Sequence, residues 1–396
     1  MKVAVLTENF IGGAGEFSRI KEDLIGGAEI YLYELISRVL EPLCDEIRVY
    51  QINGVDRKFN KTTVKTVRSF LDVDLDNHDL IILNDIDLLR KVRSPKNRDN
   101  IIAIHHGMKL EPTILNPNTL SIIWKYRISR SGRSKAMRTL RKILALAYFS
   151  IRNEVSRFKA IKSLNDVDAL IIVSVDRNSL KYLLPTRRSR WIVIHNFVDL
   201  NLFNPNVEPT LRFDDSYINI LVPRNLSFGR GVFILPELVQ FLKEHKCSKF
   251  RFLIVGDGIL REYLEKYAGD HIVLLGHRDH FSEMPGIYAS SDIVLIPSFC
   301  SEGTSFAVLE GMAMKKPIVT TDVGGIKEIG INGVHKLSSP FSTRMIGMNI
   351  LRLIRDRRLS NRIAGNAHHY VRNNHDVKTW VDKWTKLIIN IVSGRR

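Results

Sequence analysis

Short apolar runs alternate with helix-like stretches along the whole chain. The runs are continuous, a pattern typical of parallel strands that are covered by helices on both faces. The first half contains Val3–Leu6, Ile47–Ile52, Leu80–Leu83, Ile101–Ile104, Ala169–Val173 and Trp191–Ile194. The second half contains Ile218–Val222, Phe250–Val255, Ile272–Leu275, Ile293–Ile296 and Ile318–Thr321. This pattern predicts an α/β protein with two doubly wound, Rossmann-like parallel sheets.

The two predicted sheets belong to separate domains, because 396 residues are too many for one ordinary core. Periodicity breaks in the Asn- and Pro-containing stretch 199–205. We therefore expect an N-terminal domain over 1–199, a C-terminal domain over 200–375 and a last helix over 376–396 that packs back on the N-terminal domain. Two such sheets that face each other leave a cleft at the carboxyl ends of their strands, where open α/β sheets bind ligands.

The net charge of +17 is concentrated in one segment, because residues 121–165 contain twelve Lys or Arg against one acid, Glu154. From Met137 onward, apolar residues recur every three or four positions between basic ones, which indicates an amphipathic helix. Such a helix either packs on the core with a wet face or lies on an anionic membrane surface. We favour the membrane as partner. A basic surface also fits nucleic acid, but we consider nucleic acid an unlikely partner.

The composition is that of a globular protein, with 44% hydrophobic and 26% charged residues. No stretch approaches the ~20 apolar residues that cross a bilayer. The three cysteines are too few and too widely spaced for a metal or disulfide framework. The first residues form a strand without a signal-peptide pattern. We therefore expect a cytoplasmic protein that attaches peripherally to the inner face of the membrane.

The most specific segment is 297–313, which follows the strand Ile293–Ile296 and leads through a Gly-containing turn into a helix that we expect to begin near Thr304. Free N–H groups at a helix start bind anions or hydroxyls. Glu302 precedes the helix and Glu310 lies about two turns along it. Eight helical residues rise ~12 Å, more than the ~5–9.5 Å between the carboxylates of a glycoside hydrolase. This spacing suits two acids that hold opposite ends of a nucleotide sugar.

The segment resembles the Glu-x7-Glu signature of the family-4 retaining glycosyltransferases, which have the GT-B fold. Other pieces resemble that family in the expected order: Gly26-Gly27-Ala28-Glu29, His105-His106-Gly107, His195-Asn196-Phe197-Val198-Asp199, Arg224 with Arg230-Gly231, Val255-Gly256-Asp257-Gly258 and Gly276. One departure is that the family usually has Lys where this chain has Arg230, with a spacing one residue shorter. Arg is a competent phosphate ligand, so the function is retained in principle.

The resemblance implies a role for each matching position. Glu310 would bind the ribose hydroxyls, and Arg224 and Arg230 would neutralise the diphosphate. Glu302 would hold the transferred sugar, and His106 would contact it. The remaining expected members of the nucleotide-sugar site are Gly26, Gly27, Gly256, Gly276, Gly303, Thr304, Ser305 and Phe306.

The resemblance further implies retaining transfer of a hexose from a donor such as a UDP- or GDP-hexose, with no metal ion and no other cofactor. Asp85-Ile86-Asp87 resembles the metal motif of the other main glycosyltransferase fold, but we expect it to be a solvated loop end. A lipid-linked acceptor follows if segment 121–165 binds membrane. Two alternatives remain: a DNA-modifying glycosyltransferase and a non-catalytic nucleotide-sugar-binding protein. The sequence leaves the hexose, the base, the acceptor and the oligomeric state open.

Overall fold

The computed structural model describes residues 1–10, 26–92, 100–106, 171–177, 190–212, 216–300 and 302–394. The basic segment 121–165 lies outside the described residues. Its interpretation as a membrane-surface helix therefore stays a prediction.

The N-terminal sheet has eight described strands: β1 Lys2–Asn9, β2 Glu46–Asn53, β3 Arg57–Phe59, β4 Thr62–Thr66, β5 Leu80–Leu83, β6 Ile101–His105, β7 Ile171–Ser174 and β8 Arg190–Val193. Their order in the sheet is β3-β4-β2-β1-β5-β6-β7-β8. Neighbouring strands are parallel, except for the antiparallel hairpin of β3 and β4. The sequence analysis missed this hairpin because its strands are short and polar.

The C-terminal sheet has six described strands: β9 Ile218–Pro223, β10 Phe250–Val255, β11 Ile272–Gly276, β12 Ile293–Ile296, β13 Ile318–Thr321 and β14 Leu337–Ser339. Their order is β11-β10-β9-β12-β13-β14, and every neighbouring pair is parallel. The prediction of two doubly wound parallel sheets is confirmed. The sequence analysis missed β14, which has three residues.

Helices cover both sheets. The described helices are α1 Gly27–Leu35, α2 Glu41–Leu43, α3 Leu235–Glu244, α4 Arg261–Glu265, α5 Met284–Ala289, α6 Phe306–Ala313, α7 Thr343–Arg355, α8 Arg357–Asn374 and α9 Val377–Val392. The last three begin at polar caps, whose side chains accept hydrogen bonds from the first turns: Ser342, Asp356 and Asp376. Within the described part of the chain, no helix is both long enough and apolar enough to cross a membrane.

The last helix, α9, belongs to the core of the N-terminal sheet. Its Trp380 and Trp384 are buried there, and Nε1 of Trp384 donates to the hydroxyl of Tyr31 at 2.9 Å. The chain passes between the domains twice, near Val198 and near His375. These two points are adjacent, because the backbone N–H of Val198 donates to the carbonyl of His375 at 2.8 Å. The sheets are therefore tied together at one edge of the cleft.

Candidate active site

Arg224 and Glu302 lie at the point where the strand order of the C-terminal sheet reverses. Arg224 directly follows β9, Glu302 follows the neighbouring strand β12, and the chain winds outward in opposite directions from these two strands. Open α/β sheets bind ligands in the crevice outside the carboxyl ends of the strands at such a point. The fold thus places both residues at the edge where a ligand is expected.

The loop 297–305, called the donor loop below, connects β12 to α6. Helix α6 begins at Phe306, after Ser305 in an extended conformation. The prediction of a helix start near Thr304 was therefore wrong by two residues. Glu302 and Glu310 are joined by loop and about one helical turn, so the ~12 Å separation expected from eight helical residues does not apply.

Glu302 is the centre of a buried cluster with two arginines. Its side chain lies 2.9 Å from Nη2 of Arg224 and 2.8 Å from Nη1 of Arg230, both measured to Oε1. The hydroxyl of Ser298 donates to the same carboxylate, and Nη2 of Arg224 also donates to the Ser298 hydroxyl at 3.0 Å. Ser305 accepts from Arg224 at 3.4 Å. Two guanidinium groups therefore surround one carboxylate, which leaves one positive charge in excess.

The cluster keeps Glu302 ionised. Burial opposes the charged form of Glu302, but Arg224 and Arg230 outweigh burial and hold its pKa at about 2. Burial also lowers the pKa of Arg224, which remains charged because a guanidinium is not deprotonated in proteins. An ionised carboxylate accepts strong hydrogen bonds from hydroxyls. Glu302 is thus suited to hold a sugar, and its partners are suited to hold an anion.

Arg230 lies in a loop that glycine locks against the donor loop. It ends a short turn, Phe228–Arg230, and is followed by Gly231 in the left-handed conformation with φ of +72°. A Cβ at Gly231 would lie 1.8 Å from the carbonyl oxygen of Pro297. Only glycine therefore allows this approach. The side chain of Arg230 is 24% exposed against 7% for Arg224, so Arg230 is the more accessible cation.

Two further predicted glycines end neighbouring strands on the same edge of the sheet. Gly256 follows β10 with φ of +134°, and a Cβ there would lie 2.2 Å from the carbonyl oxygen of Arg224. Gly256 thus fixes the backbone beside Arg224. Gly276 ends β11 with φ of +73°, and nothing described lies within 4 Å of a Cβ placed there. Glycine is therefore favoured at position 276 by the positive φ and not by a close contact.

Glu310 is buried on the first turns of α6 and is held by Tyr288 of α5. The Tyr288 hydroxyl donates to Oε2 of Glu310 at 2.8 Å, and Nδ1 of His280 lies 3.8 Å from Oε1. Burial, followed by the charge of Glu310, raises the pKa of Tyr288 well above its ordinary value. Tyr288 therefore remains a hydrogen-bond donor that orients this carboxylate. The sequence analysis missed Tyr288, because no motif marks its helix.

His106 follows β6 on the N-terminal side of the cleft. Its Nε2 lies 3.0 Å from Oδ1 of Asn84, and its ring meets that of Tyr31 edge-on at 5.2 Å. Its carbonyl oxygen would lie 2.7 Å from a Cβ at Gly303. The structure therefore brings His106 against the donor loop through its backbone, while its ring is held by the N-terminal domain.

The donor loop is one of the places where the two domains meet. The hydroxyl of Thr304 donates to the carbonyl of Val175, and Nδ2 of Asn196 donates to the carbonyl of Thr304. A Cβ at Gly303 would lie 2.6 Å from Cγ2 of Val175. The N-terminal domain thus fixes the backbone of Gly303 and Thr304. The sequence analysis quoted Asn196 as part of a resemblance but assigned it no role, because its partner lies 108 residues away.

The predicted glycine pair of the N-terminal domain lies at the start of α6. Gly26 precedes α1 in an extended conformation, and a Cβ at Gly27 would lie 3.3 Å from Cδ2 of Phe306. Phe306 also meets Phe197 edge-on at 5.5 Å. The structure therefore brings Gly27 against the residue that follows the donor loop. The role of each predicted site residue in binding or catalysis stays a prediction.

Residues 223–356, which contain this cluster, match the family model described as "Glycosyl transferases group 1". This match covers about a third of the chain, and it makes residues 223–356 similar to the group 1 glycosyltransferases. The predicted resemblance to glycosyltransferases is confirmed at this level, and the finer assignment to family 4 stays a prediction.

Curated proteins that are similar to this chain include glycosyltransferases. An uncharacterized glycosyltransferase of Methanocaldococcus jannaschii is 30% identical over 205 residues, which are 50% of this chain and 54% of that protein. A lipopolysaccharide 1,2-N-acetylglucosaminetransferase of Salmonella typhimurium is 26% identical over 45% of this chain and 52% of its own length. The chain thus spans about half the length of these curated relatives.

Among solved structures, Anabaena HepE in complex with UDP-glucose aligns with a TM-score of 0.66 at 16% identity, over 98% of this chain and 100% of HepE. This likeness covers both domains. It confirms that the chain has the GT-B fold, with two Rossmann-like domains on either side of a cleft.

Proposed function

We propose that this chain transfers a hexose from a UDP- or GDP-hexose to an acceptor at a membrane surface, with retention of anomeric configuration and without a metal ion. The observation that carries the proposal is the buried carboxylate of Glu302 between Arg224 and Arg230. This arrangement places two arginines that can bind an anion beside a carboxylate that can accept hydrogen bonds from hydroxyls. Both lie at the point where the strand order reverses. That HepE was solved with UDP-glucose supports a nucleotide-sugar donor.

The arginines would act on the leaving group. Cleavage of the bond between the anomeric carbon and phosphate develops negative charge on the diphosphate, and fixed guanidinium groups stabilise that charge. Arg230 is the more exposed of the two, so it would be the first to bind a phosphate oxygen. Phosphate oxygens would then replace Glu302 as partner of Arg230. Oε1 of Glu302 would keep Arg224 as its partner and would accept a hydrogen bond from a sugar hydroxyl in the place of Arg230.

Glu310 would hold the other end of the donor. Its Oε2 is occupied by the Tyr288 hydroxyl, so Oε1 would accept from a ribose hydroxyl. This carboxylate would recognise the ribose hydroxyls and would not contact the base. The same contact would therefore form with a UDP-sugar and with a GDP-sugar.

The acceptor would attack from the face that the diphosphate leaves. In this step the acceptor oxygen forms a bond to the anomeric carbon, the bond from that carbon to phosphate breaks, and the acceptor proton moves to the departing phosphate oxygen. No covalent intermediate with the protein is required. His106 would contact the sugar from the N-terminal side, where its backbone already lies against Gly303.

The lipid-linked acceptor rests on the basic segment 121–165. The name of the Salmonella relative, a lipopolysaccharide glycosyltransferase, supports an acceptor of this chemical class. Flotation with anionic and neutral liposomes tests it, because a membrane-surface protein floats with the anionic vesicles and not with the neutral ones.

The catalytic proposal is tested by a donor-hydrolysis screen over UDP-, GDP- and ADP-hexoses, repeated with Glu310→Ala. We expect hydrolysis of one nucleotide class and a loss of at least tenfold in kcat/KM in the variant. Binding without turnover, of every donor and in the presence of acceptor extracts, would instead identify a nucleotide-sugar-binding protein.

A further inference from the structure

The basic excess of the chain is divided between two segments. Residues 343–374, which form α7 and α8, contain seven arginines and one acid, Asp356. Their charge of +6 and the +11 of residues 121–165 together equal the net charge of +17, so the rest of the chain is balanced. The prediction from sequence concentrated the charge in residues 121–165 and did not include this second segment.

Helix α7 presents its basic residues on one face. Its exposed positions are Arg344, Met345, Met348, Arg352 and Arg355. At 100° per residue these positions fall within an arc of about 100°. The opposite side carries buried apolar residues that pack in the C-terminal core. The outer face of α7 thus combines three arginines with two methionines, and it has no acidic side chain.

The two methionines are what distinguishes this face from a solvated one. Met345 is 46% exposed and Met348 is 42% exposed. Met is a flexible apolar side chain that adapts to irregular surroundings. Basic residues with apolar residues between them are the pattern of a surface that lies on a bilayer, where the cations meet anionic headgroups and the apolar side chains insert shallowly. Phosphates of a nucleic acid would use the arginines but not the methionines.

The charged surface continues onto α8. Arg357, Arg358 and Arg362 are exposed at its start. The intervening acid, Asp356, accepts a hydrogen bond from the backbone of Leu359 and caps the helix. The surface therefore combines six exposed arginines with one capping acid, a strong charge complement to an anionic bilayer.

This face begins beside the candidate active site. Phe341, which precedes α7, meets Phe299 of the donor loop at a ring distance of 4.9 Å. Cε2 of Phe341 would also lie 2.8 Å from a Cβ at Gly231, the residue after Arg230. The segment just before α7 therefore lies against both loops that form the Glu302 cluster. A bilayer against α7 would lie next to the C-terminal lip of the cleft.

We propose that the outer face of α7, together with the exposed arginines at the start of α8, binds the surface of an anionic phospholipid bilayer. This surface is formed by residues other than segment 121–165 and lies on the C-terminal domain. The proposal rests on the membrane-located acceptor of the proposed function and adds a contact by which the donor-binding domain meets the same bilayer.

The test is flotation of the full chain with phosphatidylcholine vesicles that contain 30% phosphatidylglycerol, chosen as a mid-range anionic content. Arg344→Gln with Arg352→Gln removes two exposed charges and should lower the vesicle partition coefficient on the order of tenfold or more. The matched control, Lys58→Gln with Lys266→Gln, removes two exposed charges elsewhere and should leave it within about twofold. Equal partitioning of both double variants would overturn the proposal.

Met345→Ser with Met348→Ser separates lipid insertion from charge. At 0.5 M salt the arginines are largely screened, so this variant should lose most of the remaining vesicle binding, whereas at low salt it should lose only part of it. Unchanged binding at both salt concentrations would overturn the proposal, as would arginine variants that lose affinity for a DNA duplex but not for vesicles. Donor hydrolysis without vesicles should be unchanged in all these variants. A failure of that assay in the wild-type chain would count against the proposed function and not against the membrane face.

Discussion

Nη1 of Arg230 lies 2.8 Å from Oε1 of Glu302, the same oxygen that Arg224 holds at 2.9 Å. The carboxylate is shared between a buried guanidinium and a more accessible one. The buried pair of Arg224 and Glu302 defines a rigid part of the site. Arg230 is more exposed, so it can exchange Glu302 for another anion at a small desolvation cost. This difference leads to the first prediction.

Replacement of Arg224 and replacement of Arg230 should have different effects on the stability of the protein. Arg230→Gln should lower kcat for donor hydrolysis on the order of 10²–10³-fold, because one stabilising group of the leaving diphosphate is lost, and it should leave stability nearly unchanged. Arg224→Gln should also lower the free energy of unfolding by about 3 kcal/mol, because a buried charge loses its main partner. Urea unfolding and steady-state kinetics measure both. Equal loss of stability in the two variants would contradict the account.

Gly231 should be irreplaceable for the position of Arg230. Gly231→Ala combines an unfavourable φ of +72° with a contact of 1.8 Å to a backbone oxygen, so the loop must shift. A shift of about 1 Å in a catalytic group costs on the order of 10²-fold in rate. Gly365→Ala is the matched control, since its helix offers open space and should gain stability slightly. Wild-type kcat in Gly231→Ala would show that the loop is not needed.

Asn196 should act by positioning the donor loop. Asn196→Ala removes the hydrogen bond to the carbonyl of Thr304 and should raise KM for the donor about tenfold, the effect of one buried hydrogen bond. Asn366→Ala, which removes an exposed bond of 3.3 Å to Val334, is the control and should leave KM unchanged. If both variants raise KM equally, the contact between domains has no special role.

His375 should make the fold sensitive to mild acid. Burial lowers its pKa from 6.5 to about 4, so between those two pH values the unfolded chain binds a proton that the folded chain does not. The free energy of unfolding should therefore fall by about 3 kcal/mol as the pH decreases from 6.5 to 4, with full stability above 6.5. Denaturant titrations across this range test the sign. In His375→Gln the slope should be smaller by one proton, and an unchanged slope would exclude His375 as its source.

Donor hydrolysis should not depend on a divalent metal, because the arginines supply the positive charge on the diphosphate. Addition of EDTA to the wild-type chain should leave kcat unchanged. Loss of activity that Mg²⁺ or Mn²⁺ restores would contradict this prediction.

Most of the fold could be predicted from the sequence, because the central strands are continuous apolar runs and the unusual backbone conformations beside the site belong to glycines. Continuous runs such as Ile293–Ile296 are typical of strands buried on both faces. The edge strands β3 and β14 were missed together with β4, which lies beside β3, since all three are short and contain no continuous apolar run. The start of α6 was misplaced by two residues, because Thr304 turns its hydroxyl to Val175 of the other domain.

The site was less predictable than the fold. The sequence marked Glu302, Arg224 and Arg230 individually, yet their mutual pairing depends on two strands that are 70 residues apart and become neighbours only in the sheet. Tyr288 and Asn196 carry no local pattern and acquire their roles only through tertiary contacts. The basic face of α7 was hidden because residues 121–165 dominate the charge count.

The most direct test of the central claim is a crystal structure of the chain with its preferred nucleotide sugar, chosen by the hydrolysis screen. The account predicts phosphate oxygens within hydrogen-bond distance of Arg230, the sugar hydroxyls on Glu302 and the ribose on Glu310. A nucleotide bound elsewhere, with Glu302 still paired to both arginines, would contradict it.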